Sequence, residues 1–194
     1  MISEQELIKD CIKGKSRALE ILFDRYAPML LSVCMRYVPH RADAEDILQE
    51  GFIRILNSIG KFEPRHAGSF EGWMKRIMVN LSLNFIRDKM KTRNLIDIEQ
   101  IGDGGPEADD APFSPESLGV STDEIHSLIG NLPTGYRTVF NMYVFEDYSH
   151  KEIAAMLNCS ESTSKTQLLK ARNLLKKNIL MLSSKNRPVS PNGK

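Results

Sequence analysis

Apolar residues recur along this chain at intervals of three and four, the spacing of one helix face, and nowhere in a clean alternation of two. The pattern predicts an all-α protein. Ser3 and Glu6 form a capping-box signature, in which each side chain satisfies an orphan amide of the other at a helix start. Leu7, Ile8 and Cys11 then carry an apolar face as far as the break at Gly14. A second helix follows on Ala18, Leu19, Ile21, Leu22 and Tyr26. Pro28 suits the first turn of a third helix over 29–37, which Pro39 ends.

The next two helices have contrasting outer faces. Wound at about 100° per residue, 43–56 places Ala44, Ile47, Leu48, Gly51, Phe52 and Ile55 on one side. Asp43, Glu45, Asp46, Gln49 and Glu50 fall on the other, with Ile53 among them and Asp43 as the expected N-cap. Pro64 and two glycines mark 60–69 as a structured loop. In the basic helix over 70–91, Phe70, Met74, Ile77, Met78, Leu81 and Phe85 make a buried stripe. Arg76, Asn80, Leu83 and Arg87 make a second, polar one beside Trp73. Trp73 by itself reads as a core or half-buried residue, and a polar stripe by itself is a solvated face. Together they suit a protein that bridges a basic protein surface and nucleic acid.

Residues 94–120 hold four glycines, three prolines and seven carboxylates with no Lys or Arg, and are expected to be a flexible linker. Stretched, such a segment spans at most about 90 Å, and as a coil about 30 Å. A second helical domain starts at another capping box, Ser121 and Glu124, with a helix ending at Gly130. Pro133 and Thr134 open the next, with Val139, Phe140, Met142 and Tyr143 as core candidates. Ser149 and Glu152 cap a short helix on Ile153, Ala154 and Leu157. After a tight turn at 158–160, Ser160 or Ser162 caps a final helix to about residue 180. A short helix, a tight turn and a longer basic helix form the helix-turn-helix pattern. On the last helix Ser164, Leu168, Ala171 and Leu175 face inward, and Ser162, Lys165, Thr166, Leu169, Lys170 and Asn173 share the outer face. The expected division is therefore 1–93, a linker over 94–120, 121–182 and a disordered tail over 183–194.

Composition adds a partner class. The net charge of +1 conceals segregation: residues 61–93 carry 8 Lys/Arg against 3 Asp/Glu, and residues 151–194 carry 9 against 2. Two basic blocks flanking an acidic spacer point to polyanionic partners. The three cysteines are far apart and form no CxxC or Cys/His cluster, so neither a disulfide framework nor a metal site is expected. No apolar run approaches the roughly 20 residues of a membrane span, and the polar N-terminus is no signal peptide, so a cytoplasmic protein without membrane insertion is expected. His40, His66, His126 and His150 read as ordinary polar side chains.

Taken together, DAEDILQEGF, FEGWMKRIMVN followed by NFIRDKMK, and YSHKEIAAMLNCSESTSKTQLLKARNLLKK resemble, in order and spacing, an RNA polymerase sigma factor of the extracytoplasmic-function type. The resemblance implies a sigma factor that binds core RNA polymerase and promoter DNA, both duplex and single-stranded. It also implies an anti-sigma factor, no cofactor and no enzymatic activity. Asp46, Gln49, Glu50 and Ile53 would meet a basic coiled coil on the largest polymerase subunit. The loop from Phe62 through Arg65 to Ser69, with Trp73, Arg76, Asn80 and Arg87, would melt the minus-ten element and hold a flipped base. Ser162, Lys165, Thr166, Leu169, Lys170 and Arg172 would read the minus-thirty-five element in the major groove. Two positions depart from the family. Ser164 replaces the usual buried Val, which predicts looser packing, and Gln167 replaces a common basic residue, which predicts the loss of a phosphate contact.

Two other classes fit the residues less well. A dimeric helix-turn-helix regulator leaves the basic 61–93 block unexplained. A helical Mg²⁺ enzyme using Asp43, Asp46 and Glu50 lacks a second facing carboxylate helix and has Ile53 in its midst.

Overall fold

The computed structural model describes residues 2–64, 66, 68–92 and 120–186. The expected linker therefore lies outside the described residues, except for Val120, and so do Arg65 and residues 187–194. The chain divides into two compact units, Met1–Ile96 and Asp97–Lys194. All regular structure among the described residues is helical.

Unit 1 holds α1 (Glu4–Ile12), α2 (Ser16–Tyr37), α3 (Arg41–Ser58), a short 3-10 turn (Ile59–Lys61) and α4 (Ser69–Thr92). The capping box of α1 forms as the sequence indicates: the Glu6 amide donates to Ser3 Oγ, and the Ser3 amide donates to the Glu6 carboxylate. Gly14 takes a φ of +69°, and its left-handed backbone turns the chain between α1 and α2. Pro28 does not start a new helix. It sits inside one continuous 22-residue α2, where it removes a single hydrogen bond, the one its absent N–H would make to the carbonyl one turn back. That proline sits on the exposed side, while Leu22, Tyr26, Ala27, Leu30 and Val33 bury the opposite face on both sides of it. Burying several large side chains at roughly 1.5–3 kcal/mol each outweighs about 3 kcal/mol for an interior proline.

α2, α3 and α4 pack against one another in all three pairs. Their shared core includes Leu30, Tyr37, Ile55, Phe70, Met74, Met78 and Val79, all fully buried. α3 buries Ala44, Ile47, Leu48, Gly51, Phe52 and Ile55, the face expected from spacing. Its N-cap is His40, one turn earlier than expected, so Asp43 lies within the first turn. α4 buries a wider arc than its sequence suggests because it touches two helices at once. Leu83 is only 7% exposed and belongs to the core, not to the polar stripe. Gly51 lets α3 and α4 close together: a Cβ there would overlap Sδ and Cε of the fully buried Met78.

Unit 2 holds α5 (Thr122–Gly130), α6 (Thr134–Val144), α7 (His150–Leu157) and α8 (Glu161–Asn186). Capping boxes at Ser121 and Ser149 open α5 and α7. Asn158 ends α7 in the left-handed region, φ 53°, a conformation its short amide side chain tolerates. α8 packs on α5, α6 and α7, with Ile129, Leu132, Tyr136, Ala171 and Leu175 forming one buried cluster. Arg137 is an unexpected core member. Its guanidinium donates to the carbonyls of Gly130 (2.8 Å) and Leu132 (3.0 Å), closing the C-terminal end of α5. α8 continues through Asn186, past the expected end near residue 180, because no Pro or Gly interrupts it before Pro188.

Gly51→Ala is expected to cost about 1–3 kcal/mol, the range for overpacking a closed core. Thermal unfolding should show the lowered Tm, and Gly51→Ala should cost less in a Met78→Ala background than in the wild type.

Candidate polymerase and nucleic-acid interfaces

α3 offers the first surface. Its buried face holds the helix against α2 and α4, which leaves Asp46, Gln49, Glu50 and Ile53 exposed on one stripe at i, i+3, i+4 and i+7. Ile53 is 61% exposed. An isoleucine so placed among carboxylates leaves most of its surface to solvent, where it is available to a partner. Glu50 is bridged to Arg54 at 2.6 Å and Glu45 to Arg41 at 2.7 Å, both one turn apart on the helix surface. The sequence reading missed Phe23, 46% exposed on α2, whose ring meets Phe52 at 4.7 Å, and Leu56, also exposed. Their signal was present as apolar positions outside the predicted stripes.

Asp43 is placed differently from its neighbours. Lys89 of α4 reaches its carboxylate at 2.7 Å, and the His40 imidazole lies 3.8 Å away. The Lys89 hydrogen bond holds the Asp43 carboxyl below its ordinary value. Because Asp43 pairs with Lys89 and Glu50 with Arg54, these carboxylates do not converge as metal ligands. No group of three or more His, Cys, Asp or Glu among the described residues is arranged to hold a metal ion.

The second surface lies on α4 and the loop before it. Arg76, Asn80 and Arg87 are exposed at i, i+4 and i+11. Asn84 takes the place assigned to Leu83: it is exposed, and its side-chain oxygen accepts from Arg87 at 2.6 Å. Leu83 misled because apolar spacing alone does not reveal that α4 has two neighbours. Trp73 is half-buried, with its ring stacked on Phe70 at 5.7 Å and 19° and touching Phe62 at 5.3 Å. Phe62 also meets the fully buried Phe70 at 5.0 Å. An aromatic ledge thus joins the loop to the helix, with its inner edge in the core and its outer edge half-exposed. Ser69 starts α4, and its amide donates to the His66 carbonyl at 3.1 Å across Gly68, whose φ is +80°. Arg65 lies outside the described residues.

The third surface is the outer face of α8. Ser160 caps the helix, accepting from the Thr163 amide at 3.0 Å, with the Ser162 hydroxyl 2.8 Å from the same oxygen. Ser162, Lys165, Thr166 and Arg172 are exposed, and Leu169 and Lys170 are half-buried beside them. Ser164, Leu168, Ala171 and Leu175 are buried as spacing predicts. Ser164 is fully buried, and its hydroxyl lies 2.9 Å from His150 Nδ1, a hydrogen bond that spacing did not indicate. Gln167 is 8% exposed, with its side chain close to Gly135 of α6. His150 is no isolated polar side chain, since its ring also stacks on Tyr143. Tyr143, expected in the core, is exposed and forms that stack at the surface.

No helix of the described residues is long and apolar enough to cross a membrane. The three cysteines are unpaired, and burial pushes the Cys34 thiol up to about 11.

Comparison with known proteins gives two regional matches. Residues 22–92 match Sigma-70 region 2, and residues 122–175 match Sigma-70, region 4. The first range contains the α3 and α4 surfaces, and the second contains the outer face of α8. Similar proteins include the RNA polymerase sigma-H factor of Pseudomonas aeruginosa, 28% identical over 189 residues, covering 90% of this chain and 92% of that one. The ECF RNA polymerase sigma-E factor of Escherichia coli is likewise 28% identical, over 183 residues, covering 90% and 93%. Among solved structures, the sigma factor RpoE in complex with the anti-sigma factor NepR from Bartonella quintana shares the fold. Its TM-score is 0.50 at 16% identity, over 87% of this chain and 98% of that one.

The Asp43–Lys89 pair makes acid stability testable. A lowered carboxyl contributes stability in full above its unfolded value near 3.8 and loses it as pH falls through the folded value. Asp43→Asn should therefore flatten the dependence of Tm on pH below about pH 5 while changing its neutral-pH shape little.

Proposed function

Since this chain belongs to the sigma-70 family, of the extracytoplasmic-function type, we propose that its three exposed surfaces divide the steps of promoter-specific initiation among them. It is an RNA polymerase sigma factor, and it directs promoter-specific transcription. Residues 1–93 serve polymerase docking and the minus-ten element and residues 121–182 the minus-thirty-five element, with 94–120 between them; residues 183–186, expected in the tail, continue α8.

The α3 stripe docks on a basic element of core polymerase. The observation that carries this reading is the exposed Asp46, Gln49, Glu50 and Ile53 on a helix whose other face is fully committed to its own core. Carboxylates steer the encounter, and the central Ile53 supplies apolar area that is desolvated on docking. Asn80 and the Phe62–Ser69 loop hold a base flipped from the minus-ten element, with Trp73 and Phe62 as the adjoining aromatic wall. Arg76 and Arg87 neutralise phosphates beside it. A base held on such a platform gains roughly 1–3 kcal/mol, the scale needed to offset unstacking. Ser162, Lys165, Thr166, Leu169, Lys170 and Arg172 contact the minus-thirty-five duplex, Leu169 against a thymine methyl and the cations on phosphate or guanine.

Each DNA face neutralises only a few phosphates, so isolated binding is weak and falls steeply with salt. Tethering both faces to the polymerase raises their effective concentration. The family neighbour bound to NepR supports an anti-sigma factor as a further partner. Such a factor would act by covering one or more of these surfaces.

Gel filtration with bacterial core RNA polymerase checks the docking surface. The wild-type chain is expected to co-elute, and the double variant Gln49→Ala/Glu50→Lys is expected to elute alone with an unchanged Tm. Elution of the wild type as a dimer that binds palindromic DNA would replace this reading with that of a conventional regulator. A second check addresses melting: Asn80→Ala should leave polymerase binding intact and lower the open-complex yield by about tenfold, as 1.4 kcal/mol of lost base capture requires.

A further inference from the structure

His150 opens α7 and lies against α8, beside the third surface but not among the residues assigned to it. Its Nδ1 is 2.9 Å from Oγ of Ser164, a fully buried residue of α8. One face of the ring lies on Tyr143 of α6, with centroids 4.6 Å apart and an interplanar angle of 23°. The guanidinium of Arg172 sits 5.8 Å from the same tyrosine ring. With Nδ1 engaged inside and one ring face covered, Nε2 is the remaining hydrogen-bonding atom of this half-buried imidazole. The charged groups that face it are Lys165, Arg172 and Glu161 of α8, two cations and one carboxylate.

A buried hydroxyl needs a partner, and Ser164 gains one by donating to Nδ1 or by accepting from it. The two options fix opposite tautomers. When Ser164 donates, the ring proton is on Nε2, and the open side of the imidazole presents a donor. When Nδ1 carries the proton, the open side presents a lone pair, which repels an anion. The cationic neighbours mark this corner of the helix-turn-helix as the side that an anionic backbone approaches.

We propose that Ser164 is a positioning residue that holds His150 in its Nε2–H form, and that this N–H donates to a phosphate oxygen of the promoter duplex beside Lys165 and Arg172. The inference rests on the reading of α8 as the helix that contacts the minus-thirty-five element. Ser164 in place of a valine thereby acquires a reason: it exchanges methyl packing for control of a neighbouring ring. Burial first, then Lys165 and Arg172, hold His150 below its ordinary value of 6.5, against the pull of Glu161, so the neutral ring prevails in the free protein near neutral pH. A phosphate against Nε2 raises the proton affinity of the ring relative to the free protein, so binding is expected to weaken less, or to tighten, as pH falls.

The test uses the full chain bound to core polymerase and a duplex selected by that complex from a randomised library, with affinity read by fluorescence anisotropy. Gln at position 150 keeps an N–H donor near Nε2, whereas Asn keeps a polar atom near Nδ1 only. His150→Gln is expected to bind within about twofold of wild type, and His150→Asn about tenfold more weakly, the scale of one hydrogen bond to a charged acceptor. Ser164→Ala should weaken binding several-fold, about the worth of fixing one donor. Its ¹⁵N spectrum should show His150 moving from the single Nε2–H form of the wild type to a mixture of the two tautomers. As pH falls from about 8 to about 6, His150→Gln should lose affinity relative to wild type. Retained affinity in His150→Asn with loss in His150→Gln would make the imidazole a purely internal contact and overturn the proposal, as would wild-type affinity in all three variants. Lys165→Ala separates the two levels. If it weakens binding while the His150 variants do not, only the present inference fails. If it too is without effect, the reading of α8 fails and takes the inference with it.

Discussion

The close approach of α3 to α4 at Gly51 is the constraint on which unit 1 depends. Met78 fills the space a Cβ would need, and both helices bury their apolar faces around that contact. Once those faces are committed, the acidic stripe of α3 and the polar stripe of α4 have nowhere to point but outward. Lys89 and Asp43 add a second tie between the same two helices. Polymerase docking and base capture are therefore proposed on surfaces that share one core. A change in the α3–α4 contact would reach both.

Unit 2 follows the same economy with different means. Apolar packing of α8 on α5, α6 and α7 places its outer face, but several local conformations are set by single polar groups. Serine caps start α5, α7 and α8, Asn158 supplies the left-handed residue of the turn, and Arg137 closes the end of α5. These groups settle where each helix begins and ends, to which the outward direction of Lys165, Thr166 and Leu169 is sensitive. Ser164 belongs with them, since it substitutes a directed hydrogen bond for undirected packing at the α7–α8 contact.

Much of this was legible in the sequence because helices advertise one buried face and specific caps. The buried set of α3 matches its apolar spacing residue for residue, and the three capping boxes form where their Ser and Glu stand. What failed depended on neighbours in space. Pro28 reads as a helix start locally, yet tertiary burial on both sides carries α2 through it. Leu83 looks like an intruder on a polar stripe until α4 is seen to contact two helices. Ser164 is a polar residue whose partner, His150, lies on another helix, and no spacing rule links them. Function was legible for a different reason: charge segregation and the order of three motifs are sequence properties, and the region 2 and region 4 matches fall on the same stretches.

This chain, together with core polymerase, is proposed to open promoter DNA. The direct measurement is permanganate reactivity of thymines on a promoter fragment selected by the complex. New reactivity confined to the minus-ten region, present only with both chain and core polymerase and reduced in Asn80→Ala, is the result this account predicts. Protection of a palindromic site by the chain alone, with no unstacked thymine at any polymerase concentration, would contradict it.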